Sequence, residues 1–448
     1  MKILENPVQP SDQEASLWTS SRRSFLRKSL TSAAAILTGA QLLGSDKSPT
    51  SGVDAIRGFG ITASGDPWKD LRSYYDLPGD VVQLDHGYWG VMSQPVFENY
   101  LNLQKIVNRQ GPVYGRLQFP KDIAKVQEET ASLLGIDADE LILSRGATEA
   151  LQTLIADYNE LQSGDEVLYS DHDYDSMQHA MDWLVDRRGV TVRRIELPNK
   201  PSYESLIQTY EDAFKRYPRV KLVLLTHVCH RNGLVLPVKE IHQLAKEHGM
   251  ETIIDAAHSL GQVDFKIRDL EANFVGLSLH KWMGAPMGTG LIYIRKGNAH
   301  RIDPHFRKIE ADNLNVQDRL HTGTVNFASF LAIPEAIRFY QTIPVSLRHE
   351  HLRSLQKLWT DRFRNDPRVE VLNAEDPRLN TGMAAFRMTG KGDYESNLNL
   401  TRQLWEKARV LTVLRVGLAS GVCIRVTPAP YTRPDEVQTF ADTLDQLV

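Results

Sequence analysis

Residues 273–295 read NFVGLSLHKWMGAPMGTGLIYIR, two apolar segments on either side of a turn that is rich in glycine. The first segment runs to Ser278, and Lys281 follows close behind it. The glycines after this lysine allow the backbone to turn sharply and to approach other parts of the chain. The pattern predicts a lysine at the carboxyl end of a buried strand, where open α/β sheets bind their ligands.

The same pattern of short apolar strands and amphipathic helices extends outward from this segment. The predicted strands are 140–144, 165–171, 191–197, 221–228, 251–259, 273–279 and 289–295. The predicted helices are 122–135, 147–158, 176–189, 203–217 and 238–249. This alternation predicts an α/β fold, in which helices cover both faces of a mostly parallel sheet.

The chain has 448 residues, which predicts a large domain and a smaller one. We expect the large domain over 109–334 and a smaller α+β domain that combines 76–108 with 335–448. In the smaller domain the predicted strands are 384–388, 411–416 and 422–428. Its predicted helices are 395–408 and a last helix that begins at Pro434.

The first 44 residues are predicted to be an export signal and not part of the fold. Arg22 and Arg23, followed by Phe25, Leu26 and an uncharged segment over 29–45, are typical of a twin-arginine signal. The alternative is a chance arginine pair before an amphipathic helix. The signal predicts export of the folded protein to the periplasm by the twin-arginine machinery. The uncharged segment is too short and polar for a stable membrane anchor, and 45–75 is predicted to be a linker.

Composition argues against several other classes of protein. The net charge is −4 and no basic tract is present, which argues against nucleic-acid binding. The two cysteines, Cys229 and Cys423, lack the spacing of metal ligands. We therefore predict neither a metal site nor a disulfide framework.

Three predicted strand ends carry groups that suit pyridoxal phosphate. This cofactor needs an amine for its aldehyde, an acid for its ring nitrogen and hydrogen-bond donors for its phosphate. Lys281 lies behind apolar residues, where an amine loses its proton more easily and can react with an aldehyde. Asp255 follows an apolar strand and needs a cation, either the cofactor ring or Lys281 in a structural ion pair. The turn at 146–148 opens a helix and can bind phosphate, although a simple helix cap is the alternative.

Several motifs resemble the class V aminotransferase family of fold-type-I pyridoxal-phosphate enzymes, which includes cysteine desulfurases and isopenicillin N epimerases. The strongest are DAAHSLGQVDF (255–265) and LSLHKWMGAPMGTGLIYIR (277–295). Supporting motifs are LDHGYWG (84–90), LSRGATEAL (143–151), GDEVLYSDHDY (164–174) and HTGTVNF (321–327). The resemblance covers roughly residues 80–445, and it implies a pyridoxal-phosphate-dependent enzyme.

The resemblance also implies a role for each matching residue. Lys281 is the lysine that bonds to the aldehyde, Asp255 pairs with the ring nitrogen and His258 lies near the ring hydroxyl. His172 stacks on the ring, with Tyr174 as the alternative. The phosphate contacts expected are Gly146, Ala147, Thr148, Ser278, His280 and Thr324. The last of these reaches the phosphate of the neighbouring subunit, which implies a homodimer.

Substrate contacts are expected on other segments. Arg425, in CIRVTPAPY (423–431), is implied to hold the substrate α-carboxylate, because its guanidinium can form two parallel hydrogen bonds. A surface arginine is the alternative. LDHGYWG and GPVYGRLQF (111–119) resemble the isopenicillin N epimerase branch, and His86, Tyr88 and Arg116 are its candidate contacts.

Three further side chains near these motifs keep more than one interpretation. Trp89 and Tyr114 are as compatible with packing as with substrate contact. His230 stands where many relatives carry Asn or Thr, so its part in contacting the ring stays open.

The expected activity is chemistry at the α-carbon of an amino acid or a peptide-linked amino acid. Epimerisation, transamination, elimination and decarboxylation all stay open, and tailoring of a secreted peptide such as a siderophore is one version. Desulfurase activity is disfavoured because no loop cysteine precedes Arg425, and Cys423 lies in a predicted strand. The alternative from another class is a non-catalytic binding protein, against which the presence of both Lys281 and Asp255 argues.

Overall fold

The strands and helices of the chain follow the predicted alternation. The computed structural model describes residues 65–308 and 315–448. Its strands are β1 (Val82–Gln83), β2 (Leu141–Ser144), β3 (Glu166–Ser170), β4 (Thr191–Ile195), β5 (Val220–Thr226), β6 (Glu251–Asp255), β7 (Phe274–Ser278), β8 (Gly290–Ile294), β9 (Val369–Val371), β10 (Ala384–Met388), β11 (Val410–Leu411), β12 (Val413–Arg415) and β13 (Cys423–Val426). Its α-helices are α1 (Pro67–Ser73), α2 (Gln94–Gln110), α3 (Pro112–Leu117), α4 (Phe119–Leu134), α5 (Ala147–Asp157), α6 (Asp175–Arg188), α7 (Tyr203–Arg216), α8 (Val238–Glu247), α9 (Phe327–Leu331), α10 (Ile333–Tyr340), α11 (Val345–Phe363), α12 (Tyr394–Ala408) and α13 (Pro434–Asp445).

Seven strands form one sheet in the order β2-β8-β7-β6-β5-β3-β4. Strand β8 is antiparallel to both of its neighbours, and the remaining pairs are parallel. Every residue of β6 and β7 is buried, as expected for central strands with helices on both faces. The predicted α/β architecture is therefore confirmed.

The helices that connect these strands begin and end close to the predicted positions. Glycine caps explain two of the ends: α4 stops at Gly135 and α6 at Gly189, with φ of +70° and +68°. Such left-handed positions favour glycine and terminate a helix. The start of α5 immediately after Gly146 places a helix N-terminus at the end of β2.

A second, four-stranded antiparallel sheet has the order β12-β13-β10-β9. One face packs against α11, α12 and α13. Its centre is an aromatic cluster of Trp359, Phe386 and Phe440, whose ring centroids lie 5.5–5.7 Å apart. The opposite face carries Arg425, and this side chain reaches the cleft described below.

The segment 411–416, predicted to be a single strand, forms parts of two strands. β11 pairs with β1 in parallel, and β12 pairs with β13 in antiparallel orientation. The break falls at the buried Thr412, because the chain leaves one pairing partner there and joins another. Strand periodicity gives no sign of such a change of partner.

Helix α11 is not among the helices predicted from the sequence. Its apolar residues Leu352, Leu355, Trp359 and Phe363 are buried and recur at intervals of three and four. That spacing is the usual signal of an amphipathic helix, so the helix was predictable.

Some predictions lie outside the described residues or stay predictions. Residues 1–64 are not described, so the predicted signal (1–44) and most of the predicted linker (45–75) lie outside the structure. The described residues belong to one compact unit, and the division at 108/109 and 334/335 stays a prediction. Within the described ranges, no helix combines the length and apolar character needed to cross a membrane.

Candidate active site

A cleft of about 670 Å³ opens at the carboxyl edge of the large sheet. Strands β2, β5, β6 and β7 each end at this edge, and the loops that follow them form its walls. Because parallel strands end on the same side, residues distant in sequence become neighbours there. Lining residues include Gly146, Thr226, Asp255, Ser278 and Lys281.

Lys281 reaches the cleft from the turn behind β7. Gly90 allows its backbone to approach, since a Cβ at Gly90 would lie 2.0 Å from the Lys281 carbonyl oxygen. The amine Nζ lies 2.9 Å from Nε2 of His258. Burial lowers the pKa of Lys281 to about 8, although Asp255 acts in the opposite direction. The amine is therefore partly neutral near physiological pH and can act as a nucleophile or base.

Asp255 is the last residue of β6 and is buried. Its Oδ1 accepts a hydrogen bond from the Ala257 N–H at 2.9 Å. Burial raises the pKa of Asp255 to about 6, while this hydrogen bond and the charge of Lys281 lower it. A cation beside a buried carboxylate of this kind stabilises its charged form. A protonated pyridine ring would be such a cation.

The turn at Gly146, Ala147 and Thr148 forms the N-terminal end of α5, and all three residues line the cleft. The Ala147 N–H donates to Ser278 Oγ at 3.2 Å, which joins this turn to the end of β7. Gly290, on β8, lies directly against this turn. A Cβ at position 290 would lie 2.5 Å from the Gly146 Cα, so only glycine fits there. The N–H groups and dipole of the helix end suit a phosphate.

His280 also lines the cleft beside this turn. Its Nδ1 lies 2.8 Å from the Thr289 carbonyl oxygen. A carbonyl can only accept, so Nδ1 carries the proton and donates it. This bond fixes the orientation of the imidazole ring. A Cβ added at Gly146 would lie 3.2 Å from Cε1 of His280, so the ring lies close against the turn.

His172 and Tyr174 occupy different environments. His172 is buried, with Nδ1 2.8 Å from Asp171 Oδ1 and Nε2 3.3 Å from Asn232 Nδ2. Tyr174 lines the cleft, and its ring lies edge-on to that of His230, 4.9 Å between centroids. His230 also lines the cleft. Tyr174 therefore reaches the cleft and His172 does not, while the assignment of ring stacking to either residue stays a prediction.

Arg425 lies on β13 and is almost fully buried at the cleft wall. Its Nη1 donates to the His230 carbonyl at 2.8 Å, and its Nη2 forms an ion pair with Asp85. Its Nε is buried without a protein partner. The guanidinium is thus held rigidly at the cleft wall by two partners.

Arg415 is a second arginine of the cleft that the sequence analysis did not identify. It lies on β12, where it pairs with Cys423, while Val413 pairs with Arg425. Burial and the neighbouring Arg425 lower the pKa of Arg415 to about 10. Its nearest carboxylate is Asp85 at 3.9 Å, and its Nε is buried without a partner. This register, together with the period-two alternation along each strand, puts residues 415 and 425 on one face of the small sheet.

The remaining candidate substrate contacts are spread over different surroundings. Tyr88 lines the cleft and is 64% exposed. His86 is buried, with Nδ1 3.1 Å from the Tyr431 hydroxyl. Arg116 is exposed on α3, and Thr324 is also exposed. His86, Arg116 and Thr324 do not line the cleft within this chain.

The two aromatic residues with open interpretations also differ. Tyr114 is buried and its hydroxyl donates to Asp122 at 2.7 Å, which is a packing arrangement. Trp89 is 42% exposed and lies with its ring 4.5 Å from that of Tyr88.

Both cysteines are buried free thiols. Burial raises the pKa of Cys423 to about 12 and also raises the pKa of Cys229. Neither side chain is therefore a ready thiolate. Within residues 65–308 and 315–448, no group of His, Cys, Asp and Glu side chains is arranged to hold a metal ion.

The cleft fits pyridoxal phosphate in three independent respects. The amine of Lys281, the buried carboxylate of Asp255 and the N-terminal end of α5 face the same space. Each supplies one of the three requirements of the cofactor, for its aldehyde, its ring nitrogen and its phosphate. Arg415 and Arg425 line the opposite wall, and their guanidinium groups suit an anionic substrate group.

Sequence comparison gives a family for this chain. A family model described as aminotransferase class V matches residues 94–429. Isopenicillin N epimerase of Streptomyces clavuligerus is 27% identical over 400 residues, which cover 85% of this chain and 98% of that protein.

Solved structures with the same fold include cysteine desulfurases and a related lyase. The cysteine desulfurase CsdA of Escherichia coli has a TM-score of 0.70 at 19% identity, covering 85% of this chain and 98% of that chain. A mutant of C-DES with glycine covalently linked to its PLP cofactor has a TM-score of 0.70 at 19% identity, covering 82% and 97%. These likenesses show that the fold is that of the fold-type-I pyridoxal-phosphate enzymes.

Proposed function

Because the chain belongs to the class V aminotransferase family and is a pyridoxal-phosphate-dependent enzyme, we propose that it acts at the α-carbon of an amino acid or peptide-linked amino acid. The observation that carries this proposal is the convergence of Lys281, Asp255 and the N-terminal end of α5 on one cleft. When bound, the cofactor withdraws electrons from the α-carbon of an attached amine, which makes its hydrogen acidic.

Lys281 has two proposed tasks. It would hold the cofactor through its aldehyde, and its amine would be placed to take the proton from the substrate α-carbon as general base. Its lowered pKa of about 8 supports both tasks, because a base works best when its pKa lies near the operating pH. Asp255 would pair with the ring nitrogen and keep it protonated.

The proposed contact for the substrate α-carboxylate is a pair of arginines. Arg425 is oriented by Asp85 and by the His230 carbonyl, and its side chain lines the cleft where a substrate carboxylate would lie. Arg415 adds a second guanidinium on the same face of the small sheet, and Asp85 neutralises only one of the two positive charges. One anionic substrate group would balance the remaining charge.

An epimerase-type reaction is the first version of the proposal, and transamination, elimination and decarboxylation are the others. The likeness to isopenicillin N epimerase along most of both chains supports the first. A desulfurase would need an accessible thiolate, and the burial of Cys229 and Cys423 argues against that activity. A non-catalytic binding protein is the second candidate class, which the lowered pKa of Lys281 disfavours.

A peptide-linked substrate in the periplasm is the finer version of the proposal. Its support is the arginine pair at 22–23 with the segment behind it, together with the size of the cleft. The cleft extends along α5 to Trp183 and Phe306, which leaves space beside the cofactor for a substrate longer than a free amino acid. Tailoring of an exported peptide, such as a siderophore, would use this space.

A homodimer is part of the proposal. Thr324 is exposed and lies outside the cleft of its own chain, as a residue must be if it contacts the phosphate of a neighbouring subunit. Val113, Leu117 and Phe306 expose 63%, 70% and 97% of their surface. Exposed apolar side chains of this kind support burial against a second copy.

The proposal is tested with free amino acids and with short peptides that carry the same residue at the amino terminus. Each is added to the cofactor-loaded protein while the visible absorption is recorded, and exchange of the α-hydrogen is followed by NMR in deuterium oxide. We expect at least one amine to change the absorption and to exchange its α-hydrogen. A cofactor band that no amine perturbs, with no exchange, would favour the binding-protein alternative.

Replacing Arg415 by methionine should weaken binding of substrates that carry a carboxylate. Loss of a charged hydrogen bond corresponds to about a tenfold or greater rise in the concentration needed for half of the absorption change. The amide of the same amino acid should be unaffected, because it lacks the charge that Arg415 contacts. Arg402→Met on the exposed face of α12 is the matched control, and equal weakening of acid and amide would contradict the assignment.

A further inference from the structure

Trp282, His258 and Lys281 form a hydrogen-bonded chain at the floor of the cleft. The indole Nε1 of Trp282 lies 3.3 Å from Nδ1 of His258. On the other side of the imidazole, Nε2 lies 2.9 Å from Nζ of Lys281. Trp282 and His258 are both buried, and their rings meet edge-on, 6.2 Å between centroids, shielded from bulk solvent.

The direction of the first hydrogen bond determines the direction of the second. An indole N–H can only donate, so Nδ1 of His258 must accept and carries no proton. The single proton of the neutral imidazole is then on Nε2, which donates to Lys281. A nitrogen that accepts a hydrogen bond needs a lone pair, which a neutral amine has and an ammonium group lacks. The bond from Trp282 and the charged form of Lys281 therefore exclude each other while His258 is neutral.

We propose that Trp282 is a positioning residue, whose indole N–H fixes the Nε2–H tautomer of His258 and thereby favours the neutral amine of Lys281. The neutral amine attacks the cofactor aldehyde, which forms the carbon–nitrogen double bond and releases one water. This inference rests on the proposed role of Lys281. It adds the reason why the residue after this lysine is a buried tryptophan.

The surroundings support a neutral His258. Burial and the nearby positive charges of Arg425 and Arg415 hold the pKa of His258 well below its ordinary range. Other titratable groups close to Lys281 or His258 are Asp255, His230 and His280. Asp255 favours the ammonium form of Lys281, and the arginines oppose it. The Nε2–H tautomer of His258 adds a further contribution, which favours the neutral amine of Lys281.

The position of Trp282 is determined by close packing. A Cβ at Gly261 would lie 2.6 Å from the Trp282 Cβ, so Gly261 makes room for the indole. The same indole lies 4.9 Å from the ring of His86, centroid to centroid. His86 is buried, and burial lowers its pKa to about 3. A neutral His86 adds no charge to this network.

The first experiment reads the tautomer directly in the protein without cofactor. Nitrogen-15 NMR of labelled histidine distinguishes Nδ1–H from Nε2–H, and the His258 signals are identified by their absence in His258→Gln. We expect the Nε2–H form in the wild type and a shift toward Nδ1–H in Trp282→Phe. A wild-type protein with the Nδ1–H form overturns the proposal, whether or not the Trp282 variant folds.

The second experiment follows recombination of the cofactor-free protein with pyridoxal phosphate across pH, measured by the visible absorption of the bound cofactor. In Trp282→Phe, Nε2 of His258 can accept from an ammonium group, so the pH midpoint of the rate should rise by about one unit. Trp405→Phe on α12 is the matched control and should leave the midpoint unchanged. An unchanged midpoint in Trp282→Phe would count against the proposal.

A double substitution separates a tautomer effect from a structural one. Glutamine at position 258 has no tautomers, so Trp282→Phe should not shift the midpoint in a His258→Gln background. A shift that persists in that background means that Trp282 acts by packing, and the proposal fails. If the wild type forms no covalent link with the cofactor, the role of Lys281 fails instead, and the NMR result still decides the tautomer.

Discussion

Lys281→Ala is expected to abolish covalent attachment of pyridoxal phosphate and to lower turnover by at least about 100-fold, the usual contribution of a general base. The physical reason is that Lys281 combines two properties at one place. Its Nζ faces the cleft, and burial lowers its pKa to about 8. Reduction with borohydride followed by mass spectrometry measures the attachment, because reduction makes the carbon–nitrogen bond permanent.

A surface lysine provides the control for this substitution. Lys239 is paired with Glu271, and its pKa is raised by that carboxylate, so Lys239→Ala should keep both the attachment and the turnover. In the wild type the added mass should map to the peptide that contains Lys281. Attachment in Lys281→Ala, or mapping to another lysine, would contradict the assignment of this residue.

The predictable part of the site is the part that follows from strand ends. Asp255 and Lys281 each come behind an apolar strand, and parallel strands bring their carboxyl ends to one edge. Local sequence therefore indicated that these two residues and the turn at 146–148 would meet. The structure brings all of them to one cleft.

The other part of the site depends on contacts between distant segments. Asp85 pairs with Arg425, 340 residues further along the chain, and no local pattern indicates that pairing. Arg415 was included in a predicted strand, but its place in the cleft follows from the antiparallel register of β12 with β13. The different surroundings of His172 and Tyr174 are likewise set by Asn232 and His230, on the loop after β5.

Asp255→Asn is expected to lower turnover by about 100-fold or more, while the cofactor still attaches to Lys281. An asparagine keeps the shape and can still accept from the Ala257 N–H. It cannot balance the positive charge of a protonated ring nitrogen, and loss of such electrostatic stabilisation typically costs a factor of about 100 to 1,000 in rate. Turnover and borohydride-fixed mass, measured on the same preparation, separate the two effects.

The same substitution should stabilise the cofactor-free protein at alkaline pH. Burial raises the pKa of Asp255 from 3.8 to about 6, so the folded chain binds this proton more tightly than the unfolded chain does. Stability therefore falls as pH rises from about 4 to about 6, and the cost stays present above that range. Asparagine removes the ionisation, and the variant should be more stable than the wild type at pH 8 by about 3 kcal/mol, but not at pH 4.

Denaturant unfolding of both proteins without cofactor, at the two pH values, measures this difference. Asp361→Asn at an exposed position is the control and should change stability at neither pH. Suppose the variant is more stable than the wild type only at pH 8 and also loses turnover. The ionised, buried carboxylate of Asp255 would then destabilise the fold, and its use would be to bind the cofactor ring. Equal stability of variant and wild type at pH 8 would instead mean that Lys281 already compensates the charge of Asp255, as in the structural ion pair considered from the sequence.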